Sequence, residues 1–298
     1  RSKGLEIKYG NRGAGQLTNT KEDSGNLTNK YGKWENLEIK LKAPLLLKEN
    51  FKVLLGYKYY QESFNFTEIG STHLPVIANL NENTLKSNSF NLTLNKSFNE
   101  RIYAAVQLQY TVSGNFNGLG KFNNRYASYR AFGVYGVKPS EDFEWGIALN
   151  VSKNFRRFNV IPFFLLNKNF SPKWGIEALL PAFINLRHNI SPGNIMLTGI
   201  QFGNKNFRLD IPQEGSPDLD FAYNQSHLKA VVKYQRRIIP WVWVGAEVGY
   251  QYNLKTRFEA KNNVSTGFNL RATNAPFFNL SIFASPHSEE DKMMKGIR

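Results

Sequence analysis

The sequence predicts an all-β chain folded as a transmembrane, antiparallel, up-and-down β-barrel of about fourteen strands. Three observations lead there. Apolar and polar side chains alternate with a period of two along much of the chain, and no window of similar length shows the i, i+3, i+4, i+7 spacing of a helix. The connections between alternating segments are short and long in turn. The polar faces are too small and too hydrophilic for a dry core, so the apolar faces opposite them would be stranded in water unless lipid covers them.

Taken in chain order, strands are expected at Leu5–Tyr9, Glu35–Lys42 and Phe51–Phe64. In Leu85–Lys96, Phe90, Leu92 and Leu94 oppose Ser89, Asn91, Thr93 and Asn95. Arg101–Ser113 sets Ile102, Ala104, Val106, Leu108, Tyr110 and Val112 against a face that carries Arg101, Gln107 and Gln109. Ser128–Val137 follows, and then Phe143–Ser152, where Trp145, Ile147, Leu149 and Val151 oppose Glu144, Gly146, Ala148 and Asn150. After Phe158–Asn167, the stretch from Trp174 to Ser191 is too long for one ordinary strand. Pro181 cannot donate to a ladder, so it reads as two short strands with a tight turn at Leu180–Ala182. Ile195–Phe207 and Tyr223–Arg236 come next. Trp241–Leu254 places Val242, Val244, Val248, Tyr250 and Tyr252 against Gly245, Glu247, Gly249 and Gln251, and Phe277–Ala284 ends the series. The total is about fourteen, an even number, within a range of twelve to sixteen; both ends of the series fall on the periplasmic side.

Tight turns lie at Lys138–Asp142, Phe170–Lys173, Ser191–Asn194 and Ile238–Pro240. Long polar connections are expected at Asn11–Lys33, Glu68–Asn83, Asn115–Arg125, Asn204–Ala222 and Lys255–Ala272. Two connections on the long-loop side, near Lys153–Arg157 and at Pro181, are also short. The wall from Phe143 to Ser191 should therefore stand lower than the rest, which suits a lateral exit or docking against another membrane protein. Tyr57, Tyr59, Tyr110, Trp145, Tyr250 and Tyr252 cluster at the ends of apolar faces, where amphipathic rings favour headgroup depth.

Composition narrows the classes. The 298 residues contain no cysteine, which removes disulfides, thiolate catalysis and cysteine-ligated metals together. The longest apolar runs, Ile238–Ala246 and Val160–Leu166, fall short of the ~17–25 residues that a membrane helix needs. No signal-peptide pattern is visible at Arg1, as in a cytoplasmic chain or a mature exported one with its signal peptide removed; the barrel reading takes the second. The net charge of +15 could suit nucleic acid, but the basic residues are dispersed and no recognition module is present. Outer-leaflet lipopolysaccharide is the more natural counter-charge. The expected organisation is one barrel domain over 1–286 and a charged tail over 287–298.

Four segments carry a resemblance: Ala43–Phe66, Lys173–Ser191, Trp241–Leu254 and Asn274–Phe283, of which Lys173–Pro181 is the most specific. Together they resemble an outer-membrane β-barrel family of the Bacteroidota described only as a domain of unknown function. The likeness runs from about Glu35 onward. It implies a barrel and a bacterial outer-membrane address, and it brings no catalytic residues. The alternation of Phe278, Leu280 and Ile282 also resembles an outer-membrane assembly signal, although a charged tail follows it.

Catalytic chemistry is sparse. Among His73, His188, His227 and His287, the pair Ser226–His227 is adjacent in sequence, but neighbours on a strand face opposite ways. No carboxylates or histidines share metal-ligand spacing, so neither metal nor cofactor is expected. Gly118-Leu119-Gly120 lacks the strand–turn–helix context of a phosphate loop. The informative residues are those on polar registers, taken as lumen-lining: Lys52, Lys58, Arg101, Gln107, Gln109, Arg130, Glu144, Glu177, Arg187, Lys229, Lys233 and Glu247. They would brace the barrel through ion pairs or, since cations outnumber carboxylates, form an anion-preferring path. The expected function is a non-enzymatic passage for small solutes or hydrophobic ligands, or a structural subunit of a larger outer-membrane complex. Its partners would be outer-membrane lipid, lipopolysaccharide and other outer-membrane proteins. The alternatives are a barrel-embedded lipid hydrolase and a soluble, exported β-sandwich binding protein.

Overall fold

The computed structural model describes residues 3–19, 28–70, 74–116, 124–155, 157–213, 215, 217–260 and 267–285. β1 (Leu5–Arg12) and β2 (Gly15–Asn19) run away from the short-turn end, β3 (Thr28–Leu47) returns, and β4 (Phe51–Glu68) leads to α1 (Leu74–Glu82). β5 (Leu85–Ser97), β6 (Ile102–Gly114), β7 (Ala127–Ser140), β8 (Phe143–Asn154) and β9 (Arg157–Asn169) follow, then the short β10 (Trp174–Leu180) and β11 (Phe183–Ser191). β12 (Asn194–Ile211), β13 (Leu219–Ile239) and β14 (Val242–Ala260) are long, and β15 (Phe268–Ala272) with β16 (Ala275–Ala284) completes the ring.

From β2 to β15 each strand pairs antiparallel with the next, β1 also pairs with β3 and β16 with β14, and the sheet closes where β16 meets β1 and β15 meets β2. β1 with β2, and β15 with β16, each continue a single stave, so the sixteen strands make a closed barrel of fourteen staves. The split at Pro181 is present, with the Ala182 amide donating to the Leu179 carbonyl at 2.6 Å. All fourteen expected strands are found.

The apolar faces point outward. Leu108, Ile147 and Val248 are 48%, 59% and 55% exposed, and no second sheet covers them. That overturns the β-sandwich alternative, in which these side chains would be enclosed. Trp145, Tyr129, Tyr250 and Tyr252 are exposed in the same belt, and Trp174 stacks on His188 at 4.0 Å.

The low wall is real and has a consequence that the sequence did not suggest. β10 and β11 have seven and nine residues, against eighteen to twenty-one for β12, β13 and β14. Where β7 to β11 stop, β12 crosses to β6 and pairs with it in parallel, Arg208 against Gly114. Nine staves thus continue as a narrower turret above a base of fourteen. A Cβ at Gly114 would lie 2.5 Å from the Arg208 carbonyl and 2.5 Å from the Tyr126 ring, so the close approach needs glycine. Polar groups stitch the seam: Arg208 pairs with Asp220, the Tyr126 hydroxyl donates to Asp210 at 3.2 Å, and Asn115 Nδ2 donates to the Asp210 carbonyl at 2.9 Å. Burial, helped by the Asp210 carboxylate, pushes the Tyr126 hydroxyl up to about 12.

Inside the turret the alternation keeps its register but exchanges its polarity. Phe207, Leu209, Ile211, Phe221, Tyr223 and Phe258 point inward and are buried, while Arg208, Asp220 and Arg257 take the outer face. They form one core with Leu17, Trp34, Phe64, Phe66 and Leu270. α1 completes it: Pro75 sits in the first helical turn, where its missing N–H costs nothing, and Val76, Ile77 and Leu80 are buried. The long connections expected at Asn11–Lys33, Asn204–Ala222 and Lys255–Ala272 are therefore largely strand, and Glu68–Asn83 contains a helix. Outward-facing apolar residues signal a strand only at the depth where lipid surrounds it.

Candidate functional site

Below the apolar core the lumen opens into a cavity of about 690 Å³. Its inner walls come from inward registers on both sides of the barrel: Lys8, Arg12, Glu38 and Lys58 on one, Ser89, Gln109, Thr111, Arg130 and Asn150 on the other. The period of two puts these side chains inside because their neighbours, among them Tyr9, Leu108 and Val151, must face outward.

The cavity does not end at the wall. Among the described residues, β9 has no partner on its β10 side beyond Phe164, and β12 has none on its β11 side between Phe202 and the seam at Arg208. A notch results, with its sill at Leu180–Phe183 and Pro162, which has no amide to donate, on one free edge. Ile161, Phe202 and Gly203 border both notch and cavity. Above the notch the cavity continues beneath the outer face of the turret, where Asn204, Asn206, Asn224, Ser226 and Arg257 roof it. The tip of the β8–β9 hairpin reaches the same face: Arg157 Nε donates to Glu259 at 3.2 Å, bridging low wall and turret.

The lining carries nine cations (Lys8, Arg12, Lys58, Arg130, Arg157, Lys205, Lys229, Lys255, Arg257) and two carboxylates (Glu38, Glu259). Several cations are neutralised. Glu38 holds Lys40 and Lys58, each at 2.6 Å. Glu247 holds Lys8 at 3.8 Å and Lys233 at 4.0 Å and accepts from Asn279 at 2.6 Å. Glu62, fully buried at the base of the turret core, accepts from Lys205 at 2.5 Å, from the Tyr60 hydroxyl at 2.6 Å and from the Trp34 indole. Lys229 has no carboxylate within ion-pair distance among the described residues and lies 4.5 Å from the Phe277 ring centre. Arg130 donates to Asn150 at 2.5 Å. His227 is 6% exposed, and its Nδ1 has no hydrogen-bond partner; neither do Arg12 Nε and Gln225 Oε1.

Of the residues taken as lumen-lining, Lys58, Gln109, Arg130 and Lys229 border this cavity. Gln107 donates to Thr93, Glu144 accepts from Tyr103 at 2.5 Å and from Asn167 at 2.8 Å, and Arg187 pairs with Glu177 at 3.2 Å. Lys233 and Glu247 belong to the Lys8 cluster. Lys52 and Arg101 are exposed at the short-turn end. Sequence reasoning missed Arg12, Lys205 and the roof residues, all of which lie on stretches read as loop or at a strand end. Ser226 and His227 face opposite sides of β13 and share no hydrogen bond; His73, His287, Gly118-Leu119-Gly120 and the tail 287–298 lie outside the described residues. Among the described residues no cluster of three His, Cys, Asp or Glu could hold a metal ion.

No family model and no curated protein matches the chain. Solved structures do. The Pseudomonas putida toluene transporter TodX is 10% identical, with 97% of this chain and 91% of that one covered at a TM-score of 0.42. A Pseudomonas aeruginosa FadL homologue is 10% identical, covering 95% and 90% at 0.42. An outer-membrane channel from Pseudomonas putida F1 is 7% identical, covering 96% and 97% at 0.44. At TM-scores below 0.5 these likenesses carry no argument about fold or function, which rest on the strand pairing and the residues described above.

Proposed function

We propose that the chain is an integral outer-membrane β-barrel channel, without enzymatic activity, that admits small solutes through a side entrance beneath the turret. The membrane address draws on the exposed apolar belt around a wall that closes on itself and is hydrogen-bonded all round below the notch, an arrangement that hydrocarbon satisfies. The bacterial outer membrane is where single-chain barrels of even stave number reside, and its lipopolysaccharide offers a counter-charge to a chain of +15. The resemblance of Lys173–Pro181 and its companion segments to a Bacteroidota barrel family agrees with that address.

One observation carries the channel reading: the cavity reaches the outside through a notch in the wall while apolar side chains fill the turret axis above it. A barrel strand needs ~9–11 residues to cross the hydrocarbon, and β10 supplies seven, so the sill lies within the outer half of the bilayer. A solute would enter sideways and meet a polar, mainly cationic chamber.

The test uses vesicles containing the purified barrel. Wild type is expected to release a small entrapped solute. Arg157→Cys with Glu259→Cys, in a chain that has no other cysteine, should release it equally until a short bis-maleimide joins the two positions and slows release about tenfold. Undiminished release after cross-linking would remove the side entrance, and a sealed wild-type barrel would remove the channel itself.

The structural-subunit reading draws on a different feature, an apolar groove of about 530 Å³ on the outer face among Leu55, Phe90, Leu108, Tyr129 and Phe158. Recovery of a stoichiometric membrane partner from mildly solubilised envelopes would favour that reading.

A further inference from the structure

The five staves that stay below the turret, β7 to β11, differ from their neighbours in what they turn inward. Along one row of the ladder, Leu165 of β9, Leu179 of β10 and Phe183 of β11 are register partners. One step up, Val134 of β7, Ala148 of β8 and Phe163 of β9 share a row. The chain neighbours Phe164, Leu180 and Ile184 are exposed on the lipid side, so these side chains point into the lumen. Phe132 joins them, its ring edge to face with that of Phe163 and the centres 5.7 Å apart. The strip ends sharply on both sides. Phe132 is the register partner of Gln107, which in turn faces Thr93, and Phe183 is the register partner of Gln201.

Phe132, Val134, Phe163, Leu165, Leu179 and Phe183 are all half-buried, and none belongs to a buried core, so the lumen in front of them is accessible. A wall that met only water would carry polar groups here, as β5 and β6 do. A contiguous apolar surface left open marks a place that something apolar occupies. Its position shows how the occupant arrives. At the sill, Leu180 and Ile184 on the lipid side and Leu179 and Phe183 on the lumen side flank the same two-residue turn. Ile161 and Phe202 carry apolar surface up the two jambs. Apolar surface therefore runs over the sill from the outer belt to the inner wall.

We propose that this strip is the binding surface for the molecules that the notch admits, and that these are small, uncharged and apolar. The inference rests on the channel reading and names the class of solute. Phe163 stands just beyond the last pairing of β9 with β10, and with Leu165 beneath it sets the preference. Contact with the strip takes apolar surface of both solute and wall out of the lumen water, a gain that grows with the area covered. A polar molecule of the same size gains nothing there.

The experiment uses the full-length, cysteine-free chain in phosphatidylcholine vesicles and follows thiol labelling by two uncharged reagents, N-phenylmaleimide and N-(2-hydroxyethyl)maleimide. One thiol is placed on the strip, Val134→Cys, and another on the polar wall beside it, Gln107→Cys. The phenyl-to-hydroxyethyl rate ratio at each site cancels that thiol's own reactivity, and comparing the sites cancels partition of the reagents into lipid. The ratio is expected to be about tenfold higher at Val134→Cys. Phe163→Asn with Leu165→Asn should remove the difference, and Phe163→Leu should keep it. Equal ratios at the two sites, or a difference that survives the double asparagine variant, overturn the inference. Equal ratios with both thiols labelled leave the channel standing without its apolar preference, whereas thiols that neither reagent reaches remove the channel first.

Discussion

Glu62 shows how a single buried charge can define a boundary. It sits where the polar chamber meets the apolar turret, with Lys205, Tyr60 and Trp34 all donating to it. Removing its charge leaves the Lys205 ammonium buried without a counter-ion, so Glu62→Gln should cost about 3–5 kcal/mol, and adding Lys205→Met should recover most of the loss in urea titrations. Gly114 is a second such point. In Gly114→Ala the new methyl meets the Arg208 carbonyl, which is backbone and cannot swing away, and a loss of about 1–3 kcal/mol is expected by the same measurement. Tyr126 gives the seam a pH signature. Its hydroxyl stays protonated to about 12 in the fold, against an ordinary value of 10.0. Between those limits the unfolded chain loses the proton and the folded chain keeps it, so stability falls as pH rises through this window and is fully present below it. Unfolding midpoints should decline less steeply over that range in Tyr126→Phe than in wild type.

Among the elements, the β10–β11 hairpin decides most. Lengthening each strand by two residues beside Pro181–Ala182 preserves the in–out pattern, raises the sill and gives β9 and β12 partners. Solute release from vesicles should drop about tenfold if the entrance needs the gap. That hairpin was legible in advance because Pro181 interrupts an alternation that otherwise reads straight through, and so was the lowered wall. The turret was not. In β12, Ile200 and Phe202 face out, and a few residues on Phe207 and Leu209 face in, although the backbone has kept step. Asn204, Lys205 and Asn206 at the crossover look like a loop in sequence, since side chains of both faces are polar there. The same exchange hides the upper parts of β3, β13 and β14, and with them Arg12's neighbours and the roof of the chamber. α1 was hidden for another reason: nine residues with three buried apolar positions are too few to establish a helical period.

At the scale of the whole molecule, one belt and one core divide the work of solvation. Outside the base, apolar side chains face outward at half exposure; inside the turret they are sealed from everything. Val248→Arg lies in the belt and should destabilise the barrel by about 2–4 kcal/mol in lipid vesicles if that position is near the bilayer midplane. The wild-type chain should remain with detergent on fractionation. The lower lumen takes its rigidity from paired charges on β1, β3, β4, β13 and β14, whereas the wall from β5 to β9 presents mostly neutral polar groups to the cavity. The ion pairs thus lie on the side that adjoins β12, one jamb of the notch, and the neutral groups on the side that ends in β9, the other.

The filled turret also separates two evolutionary pressures. In the channel proposed above, whatever meets the cell from outside would encounter a crown mounted on a solid core, while the chamber that admits solutes would lie underneath and to one side. On that reading, substitutions at the crown would alter how the cell looks to its surroundings without retuning what it lets in.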